Sequence, residues 1–209
     1  MRRKYAEVTD VNEMLRIMST TNIGRMSTID EEGYPYITPL NFVFHEGCVY
    51  FHCANKGEKL DNLTRCPKVC FEVDVPLAYL EVDFTPEKDP CCTHQYYHCV
   101  IIRGIARVVP DGEMKTAVLN LLVAKHEGKS DFPAITSAHV KYKACCVVEI
   151  KPVYMTAKSD LAQNKSQDDR DFVVECLVRR GLPGDLEAAR DMGYKLESNV
   201  DGVPLTVKL

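Results

Sequence analysis

Tryptophan is absent from this chain of 209 residues, and no apolar run approaches the roughly 18–20 residues that a membrane-spanning helix needs. No G-x-G-x-x-G fingerprint occurs, so the usual sign of a Rossmann domain for a nicotinamide dinucleotide is missing. No internal repeat is visible. The start, Met1-Arg2-Arg3-Lys4, is basic, but Ala6-Glu7-Val8-Thr9-Asp10 follows where a secretion signal needs an apolar core. Positive charge is in deficit: 26 Lys and Arg against 30 Asp and Glu give a formal net charge of −4. That balance argues against a broad nucleic-acid footprint. The chain is therefore expected to be cytoplasmic, with neither membrane nor nucleic acid among its partners.

What is present reads as a globular protein. With 45% hydrophobic and 27% charged residues the composition is ordinary for a folded domain, and the length suits one domain with an appendage. Ten cysteines without a secretion signal read as thiols. Cys48, Cys70, Cys145, Cys146 and Cys176 lie inside apolar runs, where a free thiol packs as a small hydrophobe.

The richest chemistry lies in residues 36–59. Residues 36–44 are dense in β-branched and aromatic side chains and predict a strand, a turn follows at His45-Glu46-Gly47, and a second strand runs from Cys48. It leads into Asn55-Lys56-Gly57, which opens a helix over 58–65. Amides at a helix N-terminus, a Gly that allows close approach and the cationic Lys59 together make a phosphate site. Pro39 cannot donate a ladder hydrogen bond, so its strand is expected at an edge, at a bulge or facing a ligand.

Along the rest of the chain, Thr9-Asp10 with Glu13 resembles a capping box for a helix ending near Ser19-Thr20. Alternation predicts strands over 22–29 and 69–74, with a weaker one over 78–82. An irregular excursion over 84–95 precedes a long strand over 96–109, with a bend expected at Gly104. A helix over 113–126 and a strand over 144–150 follow. Five or six antiparallel strands with intervening helices predict an α+β barrel. The composition changes at residue 158, which divides the chain into a domain over 1–158 and a helical extension over 159–209, with helices over 171–179 and 185–192.

The cluster Cys91, Cys92, His94, His98 and Cys99 has the ligand types for zinc or iron. Its spacing matches no zinc module, and no metal site is predicted. Arg103, Arg107, Lys141 and Lys143 read as exposed charge, with a basic rim for an anionic substrate as the rival reading.

Several stretches occur in a recognisable order. They are Ser27 to Phe44, Val49-Tyr50-Phe51-His52-Cys53-Ala54, Gly57-Glu58-Lys59-Leu60, the run from Pro67 to Val73 and the run from Tyr97 to Ala106. With them the chain resembles, over roughly residues 9–158, the FMN-binding split-barrel proteins related to pyridoxamine 5'-phosphate oxidase. Within those it looks closest to the nitroimidazole-resistance, nitroimidazole reductase-like branch. The resemblance implies an antiparallel split β-barrel with flanking helices, assembled as a homodimer with FMN at the subunit interface. It implies an oxidoreductase that reduces a small electron-poor, nitroaromatic-like molecule with electrons from NAD(P)H, in two half-reactions over one flavin. A non-catalytic flavin- or haem-binding module is the alternative. By the same resemblance Thr38, Pro39, Leu40 and Asn41 would line the isoalloxazine, and His52, Cys53 and Ala54 the ribityl chain. Gly57 and Lys59 would hold the phosphate, while His98, Cys99 and Val100 would face the flavin from one subunit or its partner. His52 and His98 are the candidate acid–base catalysts, because histidine titrates near neutral pH. Two positions depart from the pattern. Cys99 stands where the family commonly has Ser, and a thiol is the weaker donor. Thr38 stands where the oxidases place an arginine, which sets pyridoxamine phosphate oxidation behind reduction of other substrates.

Overall fold

A computed structural model describes residues 2–127, 131–198 and 204–208. Its first helix, α1 (Val11–Ser19), begins where Asp10 accepts a hydrogen bond from the Asn12 amide at 2.9 Å. Glu13 pairs with Arg16, so the cap works through Asp10. Eight strands follow one another through a single sheet: β1 (Glu7–Val8), β2 (Ile23–Ile29), β3 (Pro35–Asn41), β4 (Val43–His45), β5 (Cys48–Ala54), β6 (Lys68–Leu80), β7 (His94–Val109) and β8 (Cys145–Asp160). Their order is β3-β2-β6-β7-β8-β5-β4, with β1 paired to β8. Helices α2 (Glu58–Arg65) and α3 (Glu113–Glu127) match their predicted ranges closely. The α+β class holds.

Four expectations need correcting. Residues 36–44 do not form one strand. The chain breaks at Phe42, with β3 paired to β2 and β4 paired to β5. Phe42 is fully buried and meets Phe71 edge-on at 5.1 Å, and turning it inward lets the chain change strand partner. Pro39 lies opposite Arg25 on β3, the terminal strand of the sheet order, where a missing N–H costs no ladder bond. The two strands expected over 69–82 are one, β6. Gly104 makes no break in β7. A Cβ there would stand 2.6 Å from the Lys151 carbonyl oxygen, so the glycine serves a close approach between strands. Finally, β8 runs on to Asp160, because Val153, Tyr154 and Thr156 carry the strand past Lys151 and Pro152.

The chain forms two compact units. One comprises the residues up to Thr9, Asp74–Cys99 and those from Ala157 onward. It contains α4 (Gln167–Arg180), α5 (Asp185–Asp191) and the hairpin of β9 (Tyr194–Ser198) and β10 (Pro204–Lys208), which was not predicted. Val173, Val174 and Leu177 of α4 pack with Ala188 and Ala189 of α5 against Leu77, Leu80 and Tyr96. The C-terminal helices thus share a core with the ends of β6 and β7, and the expected boundary at residue 158 falls inside β8. The other unit comprises Asp10–Val73 and Val100–Thr156. There Val118, Leu119 and Leu122 of α3 pack on Tyr50, Val147 and Tyr142.

Candidate functional site

The turn after β5 carries the clearest local design. Gly57 caps α2 with φ 132 and ψ 159, a backbone region essentially confined to glycine. A Cβ there would meet nothing within 4 Å, so the space beside it is open. The Gly57 carbonyl accepts from Leu60 and Asp61 at 2.8 and 3.3 Å, which leaves the first amides of the helix, at Glu58 and Lys59, without intrahelical partners. Two anchors fix the turn. Asn55 donates to the Lys143 carbonyl at 2.8 Å, and the buried Asn62 of α2 donates to Thr28 of β2 at 3.0 Å. Free amides and the helix dipole at this terminus favour an anion, and Lys59 lies in the first turn of the same helix.

Two predicted residues, Asn41 at the end of β3 and His52 on β5, line one cleft of about 400 Å³. Both are exposed. The facing wall comes from α3, with Leu119, Leu122, Val123 and His126, and the rim from His139, Lys141 and Cys145. The His126 Nε2 is buried with no hydrogen-bond partner. Burial, with the nearby Lys125 and His52 charges, lowers its pKa, so it is a neutral imidazole at physiological pH with a lone pair to offer. Sequence reasoning passed over His126, yet Leu119, Leu122, Val123 and His126 stand at helical spacing and share the inward face of α3. The histidine at the end of that apolar stripe was the available signal. Thr38 of β3 adds a second orphan, a buried hydroxyl without a partner.

On the other side of β5, Cys53 lies opposite Cys146 in the ladder with β8, and their sulfurs are 3.3 Å apart. Burial is the main cause that pushes the Cys53 thiol up to about 12, with the Cys146 hydrogen bond adding and Lys59 opposing. It is a protonated thiol in the cell. Ala54 pairs with Cys145 and is exposed, while Leu40 is buried and Pro39 exposed on β3.

The predicted residues on β7 have different surroundings. His98 is 2% exposed, and both ring nitrogens are engaged: Nδ1 with the Ser159 hydroxyl and Nε2 with Asp191 of α5, each at 2.7 Å. Cys99 is half-buried and Val100 buried. Of the remaining Cys/His cluster, His94 pairs with Asp160 at 3.2 Å, and the exposed Cys92 faces Asp89. Among the described residues no group of three or more His, Cys, Asp or Glu is placed to hold a metal ion.

The Gly57 turn, with its unpaired amides and the open space beside it, fits a phosphorylated cofactor. Strand order and helices define the class, an α+β protein built on an antiparallel split β-barrel sheet. The family follows: the chain belongs to the pyridoxamine 5'-phosphate oxidase family, whose model matches residues 10–159. Solved structures share the fold. A candidate 5-nitroimidazole antibiotic resistance protein from Bacteroides thetaiotaomicron is 20% identical, with 73% of this chain and 85% of that one covered and a TM-score of 0.62. The flavocytochrome Anf3 from Azotobacter vinelandii is 17% identical, with 82% and 78% covered and a TM-score of 0.64. An FAD- and haem-binding protein from Mycobacterium smegmatis is 13% identical, with 79% and 78% covered and a TM-score of 0.65. No curated protein matches the chain. Among the described residues no helix is long and apolar enough to cross a membrane.

Proposed function

We propose that this protein binds FMN and uses it to reduce a small electron-poor molecule of nitroaromatic type, with NAD(P)H as electron donor. The observation that carries the reading is the glycine-only turn at Gly57, placed at the end of the strand that brings His52 to the cleft beside Asn41. In this reading the amides of Glu58 and Lys59 and the Lys59 ammonium hold the phosphate. Asn41 and the backbone of Thr38, Pro39 and Leu40 meet the polar edge of the ring system, and His52, Cys53 and Ala54 run beside the ribityl chain. Cys99 and Val100 face the ring from one subunit or its partner. Membership of the family supports the choice of FMN, and the names of two relatives mention flavin or, for a third, nitroimidazole resistance.

When bound, the flavin supplies the hydride and electron chemistry; the chain supplies position and protons. His52, exposed on the cleft, exchanges protons with substrate, and the neutral His126 accepts a hydrogen bond or a proton from the same side. The apolar wall of Leu119, Leu122 and Val123 limits water there. His98, with both nitrogens occupied, holds β7 to Ser159 and α5. In this reading the working form is a homodimer in the cytoplasm, with the flavin at the subunit interface.

The test is turnover. Purified protein reconstituted with FMN is given NADH or NADPH without oxygen, and a 5-nitroimidazole is then added repeatedly. Continued nucleotide consumption and renewed flavin oxidation with each addition support a reductase. Tight FMN binding without reoxidation by the acceptor would leave a flavin carrier and overturn the catalytic half of the reading.

A further inference from the structure

A second cavity, of about 570 Å³, shares no lining residue with the cleft of Asn41 and His52. Leu15 and Met18 of α1, Phe42 and Phe44 at the β3–β4 break, and Leu121 of α3 make it apolar. Among its lining residues only Ser19 and Lys125 carry polar side chains. The Lys125 Nζ stands 3.8 Å from the centre of the Phe42 ring, and among the described residues no carboxylate pairs with it. Burial alone lowers its pKa to about 8. Neither α1 nor the Phe42–Phe44 segment brings a titratable group to the lining; on α3 the neighbouring His126 is electrostatically coupled to Lys125.

A half-buried ammonium without an anion is an incomplete pair. Its face toward Phe42 is partly satisfied by the ring, and the rest has lost part of its water and gained no counter-ion. The volume falls in the range of small-molecule sites, which are apolar with a few placed polar groups. We propose that this cavity binds an amphipathic monoanion, an aryl or medium-chain carboxylate, with its apolar body against Leu15, Met18 and Phe44 and its acid group on Lys125. Binding draws on the protonated amine, so affinity is steady below about pH 8 and falls about tenfold per pH unit above it.

The test uses the purified full-length protein and the fluorescent probe anilinonaphthalene sulfonate, which has an aryl body and one sulfonate. The expected result is saturable enhancement, displaced by decanoate at a concentration at least tenfold below that needed with decanol. Lys125→Met should weaken probe binding at least tenfold and flatten its dependence on pH. Lys125→Arg should keep the affinity and move the decline beyond the pH range reached. A neutral probe, phenylnaphthylamine, should bind wild type and Lys125→Met equally, which shows the cavity intact. FMN content should be the same in all three proteins, so that failure here is distinguishable from failure of the flavin site. The proposal is overturned if Lys125→Met binds the sulfonate like wild type, or if decanol displaces it as well as decanoate. It is also overturned if probe binding disappears as sedimentation shows the chain associating, because a second copy would then be the occupant.

Discussion

Replacing Gly57 by alanine tests the phosphate turn without removing any charge or contact. The glycine adopts φ 132 and ψ 159, and a Cβ built there meets no atom within 4 Å. No clash is introduced, so the whole cost is the backbone strain of a side chain in that conformation, about 1–3 kcal/mol. Two responses are open. The turn can hold its shape, in which case global stability falls by that amount and FMN affinity is kept. Or the turn can relax, which spares stability and spoils the alignment of the Glu58 and Lys59 amides. At about 1.4 kcal/mol per factor of ten, affinity then drops about 5- to 150-fold. In either case the stability loss and the binding loss should sum to about 1–3 kcal/mol, read by urea melts and by quenching of FMN fluorescence. Gly33 provides the control, since it too has positive φ, at 91, and open space around a Cβ, but sits in the β2–β3 turn. Gly33→Ala should cost stability alone. A Gly57→Ala protein that matched wild type in both measurements, or a Gly33→Ala protein that lost FMN as severely, would refute the reasoning.

Three further outcomes follow from the packing. Gly104→Ala pushes a Cβ into the Lys151 carbonyl at 2.6 Å and Ile150 Cγ2 at 2.9 Å, so thermal melts should show a loss of about 1–3 kcal/mol, as for overpacked cores; an unchanged midpoint would mean the strands part freely. His98→Ala strips hydrogen bonds from Ser159 and Asp191 and should cost about 1–3 kcal/mol in urea melts while FMN affinity holds. A stable variant that no longer binds FMN would instead place His98 against the flavin. Glu149, buried and held below the ordinary carboxylate range first by Arg107 and then by Tyr50, contributes stability that is full above its unfolded pKa. That contribution is lost as pH falls through the lower folded value. Glu149→Gln should therefore be less stable at pH 7, by about 1–2 kcal/mol given the exposed Arg107, with the gap closing in acid; a gap independent of pH would contradict the ion pair.

Much of this was legible in the sequence, for identifiable reasons. The turn at Asn55-Lys56-Gly57 and its helix could be read because glycine and lysine after a β-rich run are local signals, and Asp10 was legible as a cap in the same way. The break at Phe42 was not, because the residues on both sides have strand chemistry and the break arises from a change of partner between β2 and β5. The second half of β8 was hidden by Lys151 and Pro152, a charge and a strand breaker that read as an end although Val153, Tyr154 and Thr156 follow. The environment of His98 depends on Asp191, 93 residues away, a pairing no local pattern reveals. The inward face of α3, by contrast, put His126 within reach of periodicity.

The central claim is that FMN occupies the β3–β5 cleft with its phosphate on the Gly57 turn. The most direct test is the visible absorption spectrum of the purified protein, taken as isolated and again after FMN addition and desalting, beside that of Lys59→Ala. The account predicts the two bands of oxidised flavin on the wild-type protein, in a stoichiometry of one per chain, and their loss on desalting the variant. A wild-type protein left colourless after reconstitution, or a Lys59→Ala protein that retained flavin equally, would contradict it.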